Sequence, residues 1–304
     1  MANIEQYSLN LYEACREEFV IPDSALDLGI SNVEVKRIRK IEIVDRFLNQ
    51  FHYLHTSSVF KSIGVITRSY GLYLGGELAG VVVFNPPGSK GSGEFLFGAG
   101  YSCAMQRQGT LALSRLVAHP EVPFNGTGYL ISQALRMIPQ DNDERIRANK
   151  APFTTVVTYA DTLFHSGTVY RAQNAWYAGM AINNGLGGFF NPVTGHCINV
   201  RQGARTLLKK NCPQGYVPFK ASPKVRYLFF LGNRRQKLET MRMLQKQVKL
   251  LCKVGKYSVF KEGRLVDLAE NRSYEEVYQY FGKIGTTKAH KRYADYLIDT
   301  DPSR

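Results

Sequence analysis

The sequence predicts an α/β fold with a basic helical extension toward its C-terminal end, and three observations carry that expectation. Tyr70 to Phe84 forms two β-rich runs around Gly75-Gly76, the strongest hairpin signal in the chain. Leu111 to Ala118 reads as a strand, after which the glycine turn Gly126-Thr127-Gly128 opens an apolar run from Tyr129 to Ile138. The excess positive charge, finally, is confined to one late segment.

The chain has 304 residues, of which 44% are hydrophobic and 21% charged, the balance of a folded globular protein. That composition excludes a disordered or collagen-like chain. No apolar run reaches the roughly 18–20 residues of a membrane span, and Met1 to Asn10 has neither a basic nor an apolar leader segment. Cys15, Cys103, Cys197, Cys212 and Cys252 are odd in number, widely spread and never spaced C-x-x-C, which speaks against a disulfide framework or a zinc knuckle. The expectation is a soluble, cytoplasmic protein with no membrane partner.

Formal net charge is +14. Residues 1–200 hold 16 basic and 16 acidic side chains, whereas 201–256 hold 15 basic residues against the single acid Glu239, and 257–304 hold 8 of each. A field so concentrated marks a polyanion-binding surface, most often for nucleic acid. Lys209, Lys210, Arg234, Arg235, Lys237, Arg242, Lys246 and Lys249 are the candidate phosphate contacts.

The remaining elements follow in order. Residues 1–30 are mixed and acidic and read as a short N-terminal helical segment. Val33 and Val35 alternate as a strand, and Ile41, Val44, Phe47, Leu48 and Phe51 then mark one face of an amphipathic helix that ends near His52. Asn85-Pro86-Pro87 stops the hairpin, and residues 88–109 form an irregular Gly/Ser-rich loop. His119-Pro120 closes the next strand, and Asn125 or Thr127 caps the helix whose face carries Leu130, Ala134, Leu135 and Ile138. Thr154 to Tyr159 is a β-branched strand with Ala160-Asp161 just past its end. Gly167 to Tyr177 is a helix and strand entry, and Arg226 to Leu231 is a late strand. Beyond it Leu238, Met241, Leu244, Val248 and Leu251 make an apolar helical stripe. Tyr274, Val277, Tyr278 and Phe281 suggest a further small helix.

Several residues are of types that carry chemistry. A glycine turn at a helix N-terminus lets backbone N–H groups approach a pyrophosphate. His52 and Asp161 can do general base work or bind a metal. Arg115 interrupts a strand of Leu, Ala and Val, where it either pairs with a carboxylate such as Asp161 or holds a phosphate or carbonyl. Under strict alternation Ser114 points to the opposite face.

The order hairpin, strand, glycine turn, helix, strand, helix over residues 33–231 resembles the GNAT acyltransferase fold, a mixed, mostly antiparallel sheet flanked by helices. The GNAT pyrophosphate motif, Arg/Gln-x-x-Gly-x-Gly/Ala, corresponds to Pro123 to Gly128, with both glycines kept and a proline at the leading polar position. A narrower resemblance rests on Phe51-His52-Tyr53-Leu54, Tyr70 to Tyr73, Ala79 to Pro87, Leu113-Ser114-Arg115-Leu116-Val117, Tyr159-Ala160-Asp161 and Gly167 to Ala172. Together these resemble the phage Mom proteins, GNAT-related enzymes that add a carbamoylmethyl group to the N6 amine of adenine in phage DNA and so protect it from restriction.

What the resemblance implies is a catalytic domain over 31–231 and an extension over 232–304, in a protein working in the cytoplasm of a host bacterium. It implies acetyl-CoA or a related acyl donor against Val117, Asn125, Gly126, Thr127 and Gly128. It places His52, Tyr53, Arg115, Asp161 and Tyr170 at the reacting centre. Tyr170 stands where GNAT enzymes commonly carry the tyrosine that protonates the departing thiolate. The resemblance also connects His52 and Asp161 with iron or another divalent metal, for which His55, His165 or Tyr53 would complete the ligand set. Double-stranded DNA is the implied partner, with Tyr53 or Trp176 as a stacking platform for an extruded adenine. Two other readings stay open: a conventional N-acetyltransferase acting on an amine or an aminated base, and a DNA-binding protein on a GNAT-shaped scaffold.

Overall fold

In the computed structural model, the described residues are Phe19, Ile21, 33–52, 67–87, Leu96, 109–122, 125–161, 167–181, 186–194, 197–199, 214–221, 223–245, 251–253, 258–261 and 264–267. The chain divides into two compact units. The first comprises residues 1–158 and 228–249, the second 159–227 and 250–304.

The first unit opens with strand β1 (Val33–Ile38) and helix α1 (Ile41–Phe51), followed by the hairpin β2 (Arg68–Leu74) and β3 (Glu77–Asn85). Gly75 (φ 57°) and Gly76 (φ 97°) form its turn. Positive φ at both central residues is the two-residue geometry whose twist matches the strands, and glycine adopts it without steric cost. Strand β4 (Thr110–Ala118) pairs antiparallel with β3, and β5 (Thr155–Asp161) runs parallel to β4. The expected strand over 154–159 thus begins one residue later and continues through Asp161, its last residue. The strand order in this unit is β1-β2-β3-β4-β5, followed by the end of β10 (Lys224–Phe230).

Each face of this sheet is closed by a helix whose apolar spacing matches it. On one side α1 buries Val44, Phe47 and Leu48 completely against Leu78, Val81, Val83 and Val117. Full burial of such side chains stabilises by about 1.5–3 kcal/mol each. On the other side α2 (Gly126–Met137) buries Leu130, Ile131 and Ala134. Gly80 permits that approach, since a Cβ there would already touch Leu130 at 3.4 Å. Ile131, rather than Leu135, completes the buried face, and Ile138 is buried in the 3₁₀ turn Ile138–Asp141 that follows.

That turn and α3 (Asn142–Arg147) are tied to the β1–β2 end of the sheet by charge. Asp141 accepts from Arg68 Nε at 2.5 Å and pairs with Arg37 Nη1 at 3.4 Å. The Arg145 guanidinium lies 3.7 Å over the Phe153 ring. Helix α5 (Arg234–Gln245) also belongs to this unit. Leu244, a member of the expected stripe, is buried together with Thr240, whereas Leu238 and Met243 are exposed, so the stripe faces the core at Leu244 and not at Leu238.

The second unit contains α4 (Thr168–Ala172), β6 (Trp176–Ala181), the three-stranded sheet β8-β7-β9 made of Leu186–Phe190 (β7), Cys197–Asn199 (β8) and Val217–Lys220 (β9), and β11 (Leu251–Lys253). Leu251–Lys253 is a strand paired antiparallel with Trp176–Ala178, which corrects the expected helical stripe at its last member, Leu251. Strand pairing recruits that apolar, charged triplet where helical periodicity alone had suggested continuation. Ser258–Lys261 (β12) and Arg264–Asp267 (β13) form a hairpin, so the expected helical extension contains strands as well. The acidic segment 1–30 beyond Phe19 and Ile21, and Tyr274 to Phe281, lie outside the described residues.

Candidate active site

The first unit's candidate centre is built on β4. Its ladder with β5 pairs Thr110 to Leu113 with Thr155 to Thr158 and stops there. Strand β4 runs on for five half-buried residues, Ser114 to Ala118, held from the other side by β3. A parallel pair that parts in mid-sheet leaves backbone N–H and C=O groups along one edge, open to an extended ligand.

The parting coincides with a β-bulge. Val83 is opposite Arg115 and Phe84 is opposite Leu113, so Ser114 has no opposite residue. Its hydroxyl repairs the interrupted ladder by donating to the Val83 carbonyl at 3.2 Å and accepting from Asn85 Nδ2 at 2.7 Å. Asn85, itself buried, accepts from Thr67 Oγ1 at 2.9 Å. Strict alternation, on which Ser114 was expected to point away from Arg115, does not hold across a bulge. Arg115 shares the α1-covered face with Val83 and Val117, and its Nη1 donates to the Ser114 carbonyl at 2.8 Å.

Two histidines stand on the same side. His52 is the C-cap of α1; it is buried, and its backbone N–H donates to Leu48 O at 2.9 Å. His119 follows β4 directly and packs edge-on against Phe51 with ring centroids 4.9 Å apart. Its Nδ1 accepts the Glu121 N–H at 3.3 Å. Burial pushes the His119 imidazole below its ordinary 6.5, against the opposing pull of the Glu121 carboxylate. The folded protein therefore binds this proton less readily than the unfolded chain does. The resulting stability is complete above pH 6.5 and is lost as pH falls through the lowered folded value. His119→Gln is expected to flatten the fall in Tm between about pH 7.5 and about pH 5.5, and an unchanged slope would contradict it.

The glycine turn proves to be helix. Helix α2 begins at Gly126, and Asn125, one of the two expected caps, occupies the N-cap position without a side-chain cap bond. Thr127 lies inside the first turn. The first intrahelical bond runs from Tyr129 N to Asn125 O at 2.9 Å, which leaves the N–H groups of Gly126, Thr127 and Gly128 without an intrahelical acceptor. No acidic side chain stands in that turn. Gly126 is packed tightly enough that a Cβ would meet Val122 Cγ1 at 2.3 Å. Pro123 lies outside the described residues.

In the second unit Asp161 is ion-paired with Lys224, Nζ to Oδ2 at 2.8 Å. From the sequence Lys224, like Arg226, is a candidate phosphate contact, and no spacing links it to Asp161, 63 positions away. Tyr170 is buried in α4 and packs on Tyr227 at 6.0 Å, while Tyr177 meets the other side of Tyr227 at 6.4 Å. Burial raises the Tyr227 phenol to about 12, so it stays protonated at ordinary pH. Trp176 is half-buried at the start of β6.

Among the described residues no three His, Cys, Asp or Glu side chains gather to hold a metal. His55, His165 and Tyr53, the expected third ligands, lie outside them.

The basic segment divides by role. Arg226 is buried, 5.6 Å over the Tyr159 ring, and Lys224 is committed to Asp161. On α5, Arg234, Lys237 and Arg242 are exposed, and Arg235 pairs with Glu239 at 2.9 Å. Lys209, Lys210, Lys246 and Lys249 lie outside the described residues. Among the described residues no helix is long and apolar enough to cross a membrane.

A mixed, mostly antiparallel sheet flanked by helices, with a bulged central strand leading into a glycine-rich helix start, defines a GNAT-like fold. The family model that matches the chain is that of the Mom protein family, over residues 32–248. The chain belongs to the Mom family. No curated protein matches it. Among solved structures, an IAA acetyltransferase from Bacillus cereus is similar at 13% identity, covering 66% of this chain and 99% of that one, with a TM-score of 0.31. A GNAT family acetyltransferase from Elizabethkingia anophelis with acetyl-CoA bound is 11% identical, covering 66% and 99%, with a TM-score of 0.29. An N-acetyltransferase from Staphylococcus aureus is 11% identical, covering 66% and 100%, with a TM-score of 0.34.

Proposed function

We propose that this protein is a DNA-modifying transferase that adds a carbamoylmethyl group to the N6 amine of adenine and draws on an acyl-CoA. The observation that carries the reading is β4. Among the described residues its ladder with β5 ends at Leu113 while the strand runs on to Ala118, and Asn125 gives the N-terminus of α2 no side-chain cap bond.

An acyl-CoA fits these residues. The N–H groups of Gly126, Thr127 and Gly128, aided by the helix dipole, would hold the pyrophosphate. The edge of Ser114 to Ala118, including Val117, would take the extended pantetheine arm as a strand takes its neighbour. The donor supplies an activated thioester, whose aminolysis gives an amide and free CoA thiol. Acyl transfer does not by itself build a carbamoylmethyl group, so its carboxamide nitrogen has to come from a second, amine-bearing reactant. The adenine N6 amine is conjugated with its ring and nucleophilically weak, so the protein has to orient and polarise the partners. The reading assigns that work to Arg115, Asp161, Tyr170 and His52. Tyr53 is assigned with them, and DNA is held through phosphate contacts from Arg234, Lys237, Arg242 and the basic positions around them.

Nucleoside mass spectrometry on plasmid DNA from bacteria expressing the chain tests this. The expected product is deoxyadenosine heavier by a carbamoylmethyl group, reduced about a hundredfold or more in Arg115→Ala and Asp161→Ala. An acetyl adduct on an aliphatic amine would replace this reading with that of a conventional N-acetyltransferase. Unaltered nucleosides from folded protein would replace it with a DNA-binding role.

A further inference from the structure

We propose that Asn85 is a positioning residue: through Ser114 it locks the β4 bulge, and the bulge decides on which face of the sheet Arg115 is presented. The inference rests on the reading that assigns Arg115 to the reacting centre.

The argument is one of register. Below the bulge Phe84 faces Leu113, and above it Val83 faces Arg115. Without the extra residue Ser114 would oppose Val83 and Arg115 would oppose Val82. A one-residue slip in a strand sends every following side chain to the other face. Arg115 and Val117 would then turn to the side of Tyr70 and Phe84, where α2 packs, and away from the side of α1, His52 and His119.

A bulge leaves a ladder position unfilled, and here side chains fill it. Ser114 Oγ donates to Val83 O across the bulge. That hydroxyl can donate in one direction only, and Asn85 Nδ2, at 2.7 Å, supplies the complementary donor that fixes its proton toward Val83. The Asn85 amide is oriented in turn by Thr67 Oγ1. Asn85 is 1% exposed, so its loss takes from Ser114 Oγ and Thr67 Oγ1 a partner that is fixed in place by packing. The Ser114 carbonyl, held by the same lock, accepts from Arg115 Nη1 and fixes the guanidinium.

The test is a double-mutant cycle on DNA modification. Asn85→Ala is expected to lower the turnover about tenfold to a hundredfold, the cost of misplacing a reacting group by about an ångström. In an Arg115→Ala background it is expected to lower turnover no further. Ser114→Ala should behave as Asn85→Ala does, and Ser114→Thr, which keeps the hydroxyl, should restore most of the rate. Additive losses, or full activity in Asn85→Ala, would overturn the proposal. If the wild-type protein leaves DNA bases unchanged, the functional reading fails. The lock is then judged by hydrogen exchange of the Arg115 and Leu116 amides: faster exchange in Asn85→Ala, with the β2–β3 amides unaltered, supports it, and equal exchange overturns it.

Discussion

Gly167→Ala is expected to destabilise the protein by about 2–5 kcal/mol. Gly167 precedes α4 with φ 79° and ψ 26°, a left-handed conformation that costs a side-chain-bearing residue about 1–3 kcal/mol. Space compounds the backbone cost. A Cβ at this position would stand 2.4 Å from Tyr227 Cε2, 3.0 Å from Ala160 Cβ and 3.2 Å from Tyr170 Cδ2. Tyr227 is fully buried with Tyr170 and Tyr177 against it, so its ring has no room to retreat, and overpacking of this kind costs about 1–3 kcal/mol more. Urea denaturation would register the loss as a lower midpoint. A midpoint within error of wild type would mean that the turn before α4 is not constrained as described.

Asp141→Ala carries the second large effect. Its carboxylate is the anion shared by Arg37 and Arg68, and Arg145 lies close enough for its charge to be felt. The Asp141 and Arg68 side chains are only 20% and 12% exposed, so water screens them poorly. Removing the carboxylate leaves guanidinium groups facing one another beneath the 3₁₀ turn, and breaking one partner of a largely buried pair costs about 3–5 kcal/mol. A loss of about 2–4 kcal/mol is expected here, since Arg37 is partly solvated. Adding Arg68→Met to Asp141→Ala should recover part of that loss, because the uncompensated buried charge goes with it. A double variant weaker than Asp141→Ala alone would show that Arg68 contributes through its packing near Phe153 instead.

Local pattern was enough for much of the first unit. The hairpin was legible because Gly75-Gly76 sits between β-rich runs, and α1 was legible because Val44, Phe47 and Leu48 repeat at the helical period. Strand β4 and the glycine-rich start of α2 were legible for the same reason, and their order was enough for the GNAT-like and Mom resemblances. The bulge was not. Leu113-Ser114-Arg115 reads as ordinary alternation, and only the pairing of β3 against β4 shows that one residue is extra. The late apolar stripe misled because Leu238 and Leu251 share a helical period but sit in different elements.

The sequence by itself determined the fold class, the family and the residue types at the candidate site. Those depend on short-range periodicity, on glycine at turns and on the order of motifs along the chain. Only the tertiary structure decided which partners those residues have. Asp161 meets Lys224, Asn85 meets Ser114 and Asp141 meets Arg37 and Arg68, across separations of 63, 29, 104 and 73 positions. No local pattern encodes such pairings, because they arise from strand register and from helices laid over a sheet. Which face Arg115 presents is likewise set by one unpaired residue in a ladder, a property of two strands together.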